Sequence, residues 1–445
     1  MTSSNNVSGW GSRLGFILAS AGSAVGLGAI WKFPYMAGTN GGSVFMLPYI
    51  FFTLTVGVSL LIAEFAMGRA GRAGPVESLR RVCGRGWGFF GAVGVFTVFL
   101  ILSFYACVGG WTFKYLWDAI TGNGIIANPE LLGQYFGAFV SNGTVSYGFL
   151  LGFLLLTAVI VLGGIESGIE NVAKFLMPTL FILMLILIIR GVTLPGAAAG
   201  LEYLFLPRWS DFNASALFNA MGFCFFSLSL GAGTMITYGS YLDPKADLPN
   251  SVFWIALLAI MAAILGGLMI MPAVFAFHVD PSAGPGLTFV TMPAIFAQMP
   301  FGHGFAILFY LCLVVAALTS SMSMLEACVA MTTRQFRLSR TAAIVLTTIG
   351  CAIVGFFANL SFGAWSEVKF FGKTIFDCLD YVTSNVGMPL STFGIAIAAA
   401  WVAWPSTREQ LMTGRTMTPA KLSVIRFMIG IVSPVFVLAV AAGSL

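Results

Sequence analysis

The 445-residue chain predicts an all-α polytopic membrane protein of eleven transmembrane helices, a 5+5 inverted repeat with broken helices 1 and 6. Three observations carry that prediction. Charged residues are only 8% of the chain and hydrophobic ones 58%, whereas soluble domains carry about 25% charge. Charge-free apolar runs recur along the whole length. Most exceed the ~20 residues a helix needs to cross a bilayer, and none alternates with the period of two that a barrel strand requires. Two of the runs are interrupted near their middles by clustered glycines.

The runs cover 14–31, 43–63, 87–113, 147–165, 175–189, 214–242, 251–277, 304–325, 341–366, 381–407 and 427–445. In span one, Gly22, Gly26 and Gly28 fall within seven residues and Pro34 follows. Each glycine costs a helix interior roughly 1 kcal/mol relative to alanine, so the backbone is predicted to open there. In hydrocarbon, opened backbone is tolerated only where protein buries it or where it lines a cavity. Its freed amides and carbonyls are then ligands for something small. Spans two to five are intact, although Gly168 and Pro178, with nine residues between them at the start of span five, can unwind that end. Span six opens at Phe226-Ser227-Leu228-Ser229-Leu230-Gly231-Ala232-Gly233. Four intact spans lie between the two broken ones, and the resulting odd repeat of five inverts the second half. The chain therefore reads as one transporter domain, 1–445, with halves 14–190 and 214–407 and an extra helix at 427–445. Paired broken spans in an inverted repeat point to a binding site at the membrane midplane.

Charge orients the bundle. The loops after spans two, eight and ten hold Arg69, Arg72, Arg80, Arg81, Arg85, Arg334, Arg337, Arg340, Arg408, Arg415 and Lys421. With Arg13, Lys174, Lys245 and Arg426, fifteen of the 21 Lys and Arg gather on one side, while loops 118–146 and 278–302 have none. The N-terminus is expected in the cytoplasm and the C-terminus outside, in a plasma (inner) membrane whose lipids are obligatory partners. The first residues have no basic n-region or cleavage site, so no signal peptide is expected. Five of seven cysteines lie inside apolar spans and read as small apolar filler. Nothing points to nucleic acid, and oligomeric state is left open.

The residues themselves carry a resemblance. Trp10-Gly11-Ser12-Arg13, the run Ala21 to Pro34, Asn40-Gly41-Gly42, Glu64 to Arg69, the break in span six and Leu318-Thr319-Ser320-Ser321 look like the neurotransmitter:sodium symporter family, in its bacterial amino-acid branch. The agreement spans nearly the whole chain. This family is a reference case for broken-helix inverted repeats, so the architecture above agrees with a known example.

The resemblance implies a neutral amino acid and sodium as the bound species. The carboxylate would meet the amides of Gly26, Leu27 and Gly28 at a positive half-helix end, with the Tyr105 hydroxyl. The ammonium would meet the carbonyls of Ala24, Phe226 and Ser227 and the hydroxyl of Ser229. Ile101, Phe226, Ala232, Ser323 and Met324 would wall the side chain. Ala232 stands where relatives usually place a large residue, which favours a bulky hydrophobic substrate. No acid lies in spans one, three or six to meet a cationic amine.

For sodium (Na+), Ala316, Thr319 and Ser320 share a helix face. With the carbonyls of Gly22 and Val25 they match the family's second sodium site. Its first site normally takes two asparagines. Here Ala29, Leu258 and Ala259 stand around those positions, so one sodium per substrate is expected, and chloride is dispensable although Tyr49 is kept. Lys32 and Asp380 match the outer gate. Of the inner gate only Ser240 and Tyr241 survive, because Val7 and Arg334 replace the usual arginine and aspartate.

Other classes fit less well. An intramembrane hydrolase needs a serine, aspartate or zinc motif that is absent, so no enzyme is expected. A channel needs a continuous polar pore, and span seven has an apolar run from Val252 to Phe277. The alternative within this fold is a sodium-independent or proton-coupled amino-acid exchanger.

Overall fold

Glycines open span one where the sequence places the break. In the computed structural model, which describes residues 9–124, 126–279 and 287–443, the helix Arg13–Ala24 ends at Val25. A second piece, Gly28–Thr39, resumes at an angle of 46°. Ser12 caps the first piece by accepting the Gly15 amide at 3.0 Å. A π-helical turn, Gly28–Lys32, starts the second. Pro34 does not close the span. It sits in the first turn of the α-helix Phe33–Thr39, which runs on from the π-helical turn with helical backbone at the junction.

Span six opens more widely. Ala214–Ser227 and Thr234–Ser240 are joined by a segment in which Ser229, Gly231 and Gly233 all have positive φ. A side chain at Gly231 would meet the Met388 carbonyl and the Thr392 hydroxyl at 2.3 Å, so space as well as conformation demands glycine. Behind the break, fully buried Glu64 of span two accepts the Gly231 amide through Oε1 at 2.7 Å. This intramembrane carboxylate anchors opened backbone.

Among the described residues nine helices are long and apolar enough to cross a membrane, and the bent pair of span one makes a tenth. The two pieces of span six complete the eleven. Spans three (Arg85–Thr121) and eight (Gly302–Gln335) run along each other through the centre and are the most buried. Span five starts at Ile165, ten residues before its apolar run, because a π-helical turn, Ile165–Glu170, carries helix through two glutamates. Span eleven (Pro419–Gly443) packs against spans ten and six. Arg69, at the end of span two, donates to Gln410 Oε1 and to the Ala246 carbonyl, both at 2.6 Å. It ties three segments together on the arginine-rich face. All seven cysteines are unpaired.

Candidate substrate and ion site

Between the two breaks lies a cavity that offers about 40 Å³ to a water-sized sphere. Span one supplies Ser23, Ala24, Gly26, Leu27 and Gly28; span six supplies Phe226, Ser229, Ala232 and Thr234. Span three adds Val98, Ile101 and Tyr105, span eight Ser320 and Met324, and span ten Met388. The Tyr105 oxygen accepts the Leu27 amide at 3.4 Å, so it stands beside backbone freed by the break. Gly26 admits no side chain, since a Cβ there would lie 2.1 Å from Ser320 Oγ and 3.3 Å from the Tyr105 hydroxyl. Ser229 donates to the Ser23 carbonyl at 3.0 Å and so stitches the two breaks together. Its oxygen lone pairs remain available to an ammonium. No charged side chain lines the cavity.

Two predicted contacts fall outside its lining, Ser227, expected to offer its carbonyl to the ammonium, and Ser323, expected in the wall. Ser227 is buried and donates to the Cys224 carbonyl one turn back at 3.2 Å. Ser323 is buried and donates to Ser23 Oγ and the Ser320 carbonyl, both at 2.7 Å. In each case a local backbone acceptor holds the hydroxyl. Ser23, Val98, Thr234 and Met388 were missed. Val98 was legible, because 98, 101 and 105 fall on one face of span three. Met388 was not, because nothing local distinguishes it from a packed core methionine.

The predicted cation ligands gather one layer away. Thr319 donates to the Ala316 carbonyl at 3.0 Å, and Ser320 to the carbonyls of Gly22 at 3.3 Å and Ser23 at 3.1 Å. A Cβ on Gly22 would sit 3.1 Å from Thr319 Cβ. Val25 follows at the helix end with non-helical φ and ψ. Neutral hydroxyls and unwound carbonyls of this kind suit a monovalent cation.

On the arginine-rich face the cavity is sealed by groups far apart in sequence. Fully buried Glu326 accepts the Tyr241 hydroxyl at 2.8 Å and pairs with Arg340 at 2.5 Å. Arg340 also donates to the Val161 carbonyl at 2.9 Å. The Trp10 indole donates to the Tyr238 carbonyl at 3.0 Å. Glu170 accepts the Gly11 amide at 2.6 Å and the Ser12 hydroxyl at 2.8 Å, latching the start of span one to span five. Val7 lies outside the described residues. Arg334 donates to the Arg72 carbonyl at 3.3 Å, and Arg72 in turn donates to Leu242 at 2.6 Å. Span five is wound from Ile165 to Val192, so the Gly168 and Pro178 device is closed here.

The opposite seal differs from expectation. Lys32 and Asp380 form no ion pair among the described residues. The Lys32 ammonium lies 4.1 Å above the Phe226 ring, and Asp380 accepts the Ser384 hydroxyl at 3.1 Å. The ring face holds the cation in place of the carboxylate. Beyond it, a second cavity of about 190 Å³ shares Phe226 and Met388 with the first, so these two side chains are the partition.

Two broken helices that meet at a buried cavity, sealed on one face by long-range polar contacts and on the other by a two-residue partition, define a membrane transporter. The chain belongs to the Sodium:neurotransmitter symporter family, whose sequence model matches residues 8–125 and 136–445. It is 39% identical over 394 residues to the uncharacterized sodium-dependent transporter YhdH of Bacillus subtilis, covering 87% of this chain and 86% of that protein. It is 34% identical over 458 residues to the uncharacterized sodium-dependent transporter MJ1319 of Methanocaldococcus jannaschii, covering 97% and 89%. Its structure is similar to that of MhsT in complex with L-phenylalanine, with a TM-score of 0.91, 38% identity, and 98% and 100% of the two chains covered. The family is one of transporters, not enzymes.

Proposed function

We propose that this chain is a sodium-coupled symporter of a neutral, hydrophobic amino acid, working by alternating access with one sodium per substrate and no chloride. The observation that carries the substrate class is a cavity lined by freed backbone and Tyr105 together with Met324, Met388, Val98 and Ile101, with no charged wall. Flexible thioethers let that wall adapt to a bulky side chain. The similarity to a phenylalanine-bound relative supports the same class.

The second sodium site, Gly22, Val25, Ala316, Thr319 and Ser320, is the reading for the ion. A single site is supported by the surroundings of the other. The Ala29 carbonyl would lie 2.2 Å from a Cβ on Gly266, close packing that leaves span seven to meet it with backbone. Around Tyr49 the Phe223 and Phe33 rings lie at 5.0 and 5.7 Å and only the neutral hydroxyls of Ser227 and Thr53 flank its hydroxyl, with no cationic group among the described residues beside it to balance an anion. One ion is enough: a 100 mV potential gives ~2.3 kcal/mol per charge, and a tenfold gradient adds ~1.4 kcal/mol. The halves 14–190 and 214–407 would rock about the site, the Glu326 cluster opening toward the cytoplasm and the Phe226–Met388 partition toward the outside.

Counterflow in proteoliposomes tests the reading. Labelled phenylalanine, leucine or tryptophan should exchange only with sodium present, and chloride replacement should change nothing. Exchange that persists without sodium would instead favour the exchanger of the same fold.

Two substitutions probe the cavity. Tyr105→Phe should reduce substrate affinity by about 1–3 kcal/mol, the loss of a hydrogen bond to a charged group, with the melting temperature retained. Equal affinity in the monodisperse variant would remove Tyr105 from the site. Ala232→Phe should exclude large substrates and spare alanine and glycine, because overfilling a packed site costs about 1–3 kcal/mol. Equal losses across substrate sizes would place Ala232 away from the bound side chain.

A further inference from the structure

On the arginine-rich face, outside the central cavity, two further cavities share a wall at Met331. The first, about 730 Å³, lies between the loop helix Pro75–Cys83 and the end of span eight, and carries Arg81, Arg334 and Arg337. Its one acid, Glu77, is already paired with Arg81 at 2.9 Å. The Thr333 hydroxyl is buried in its wall without a hydrogen-bond partner among the described residues. The second cavity, about 310 Å³, is an apolar cleft running into the membrane zone between Phe96 and Phe99 of span three and Leu346 of span nine, with Phe336 at its edge. Met331 lines both.

This arrangement has the shape of an amphipathic ligand. Cationic donors and a spare hydroxyl sit at the membrane edge, and a continuous apolar cleft descends from them. Annular lipid alone would fill the cleft but would have no use for the Arg334 and Arg337 guanidinium groups. A soluble phosphate compound would use those groups but not the cleft. We propose that the two cavities form one site for an anionic phospholipid, its phosphate held by Arg334 and Arg337 with Thr333, and an acyl chain lying along Phe96, Phe99 and Leu346. Basic pockets between transmembrane helices bind anionic headgroups by the same electrostatics, and guanidinium matches phosphate geometrically. Arg334 also donates to the Arg72 carbonyl, so a bound headgroup would sit one residue from the contacts that seal this face.

The test uses the purified full-length transporter in detergent, titrated with phosphatidylglycerol, phosphatidylcholine or glycerol 3-phosphate, and read by native mass spectrometry and by thermal melting. Phosphatidylglycerol should bind about tenfold or more tighter than phosphatidylcholine, and glycerol 3-phosphate should give no shift. The exposed pair R334Q with R337Q should bring the two lipids within about twofold of each other. Leu346→Trp, on the lipid-facing side of the cleft, should weaken phosphatidylglycerol binding while the free protein keeps its melting temperature. Equal affinity for the two lipids in the native protein, or a preference that survives the arginine substitutions, would overturn the proposal. Binding of glycerol 3-phosphate as tight as that of the lipid would overturn it in favour of a soluble phosphate site.

Discussion

Thr319→Ala combined with Ser320→Ala should abolish sodium-dependent uptake. Each hydroxyl removed from a charged partner costs about 1.5–3 kcal/mol, so the pair costs roughly 3–6 kcal/mol, or two to four orders of magnitude in sodium affinity. The fold should tolerate the change, because Thr319 bonds to the Ala316 carbonyl of its own helix and Ser320 to the carbonyls of Gly22 and Ser23 and to the Tyr105 hydroxyl, all neutral partners. Initial uptake rate against sodium concentration checks both parts of the reading. The native protein should titrate with a Hill coefficient near one, and the double variant should show no sodium response at concentrations that saturate the native protein. A coefficient near two would sink the single-site stoichiometry, and a retained response would move the ion elsewhere.

Glu326→Ala should both destabilise the protein and unseal its arginine-rich face. Removing one partner of a buried pair strands the other, at a cost of about 3–5 kcal/mol. Arg340 is 34% exposed against 0% for Glu326, so solvent relieves part of that loss and about 3 kcal/mol is the expected value. The same substitution frees the Tyr241 hydroxyl. The melting temperature should fall, and a cysteine placed at Ser240 should be alkylated faster from that side than in the Glu326-containing control. Unchanged melting and unchanged alkylation would mean that the cluster does not hold the seal. Glu326→Gln, which keeps an acceptor for Tyr241 but loses the charge, should fall between.

Much of the site was legible in the sequence because its signals are local. Clustered glycines at 22, 26 and 28 mark an opened backbone wherever the surrounding run is apolar, and Thr319 and Ser320 share a face with Ala316 by helix period alone. Ten of the twelve predicted substrate contacts line the cavity. Ser227 and Ser323 do not, since a hydroxyl in a helix is offered a carbonyl one turn back and its sequence neighbours do not say which acceptor it takes. Span five was read ten residues short because Glu166 and Glu170 look like loop charges. Glu170 is buried with Lys174 of its own helix as ion-pair partner at 2.6 Å, and with Gly11 and Ser12, 159 and 158 positions away, donating to it.

The sequence by itself determined the class of protein, the number of spans, the two breaks and the kinds of atoms offered there. Each follows from hydrophobic runs too long to be anything but membrane helices and from glycines that a helix interior does not favour. Tertiary structure alone decided the pairings. Lys32 lies over Phe226 instead of bridging to Asp380, Glu326 binds Arg340 and Tyr241, Glu64 anchors Gly231, and Phe226 with Met388 separates the two cavities. A lone charge in a membrane must find a partner, and several candidates satisfy it about equally well in a linear chain. Helix packing decides which of them come within reach.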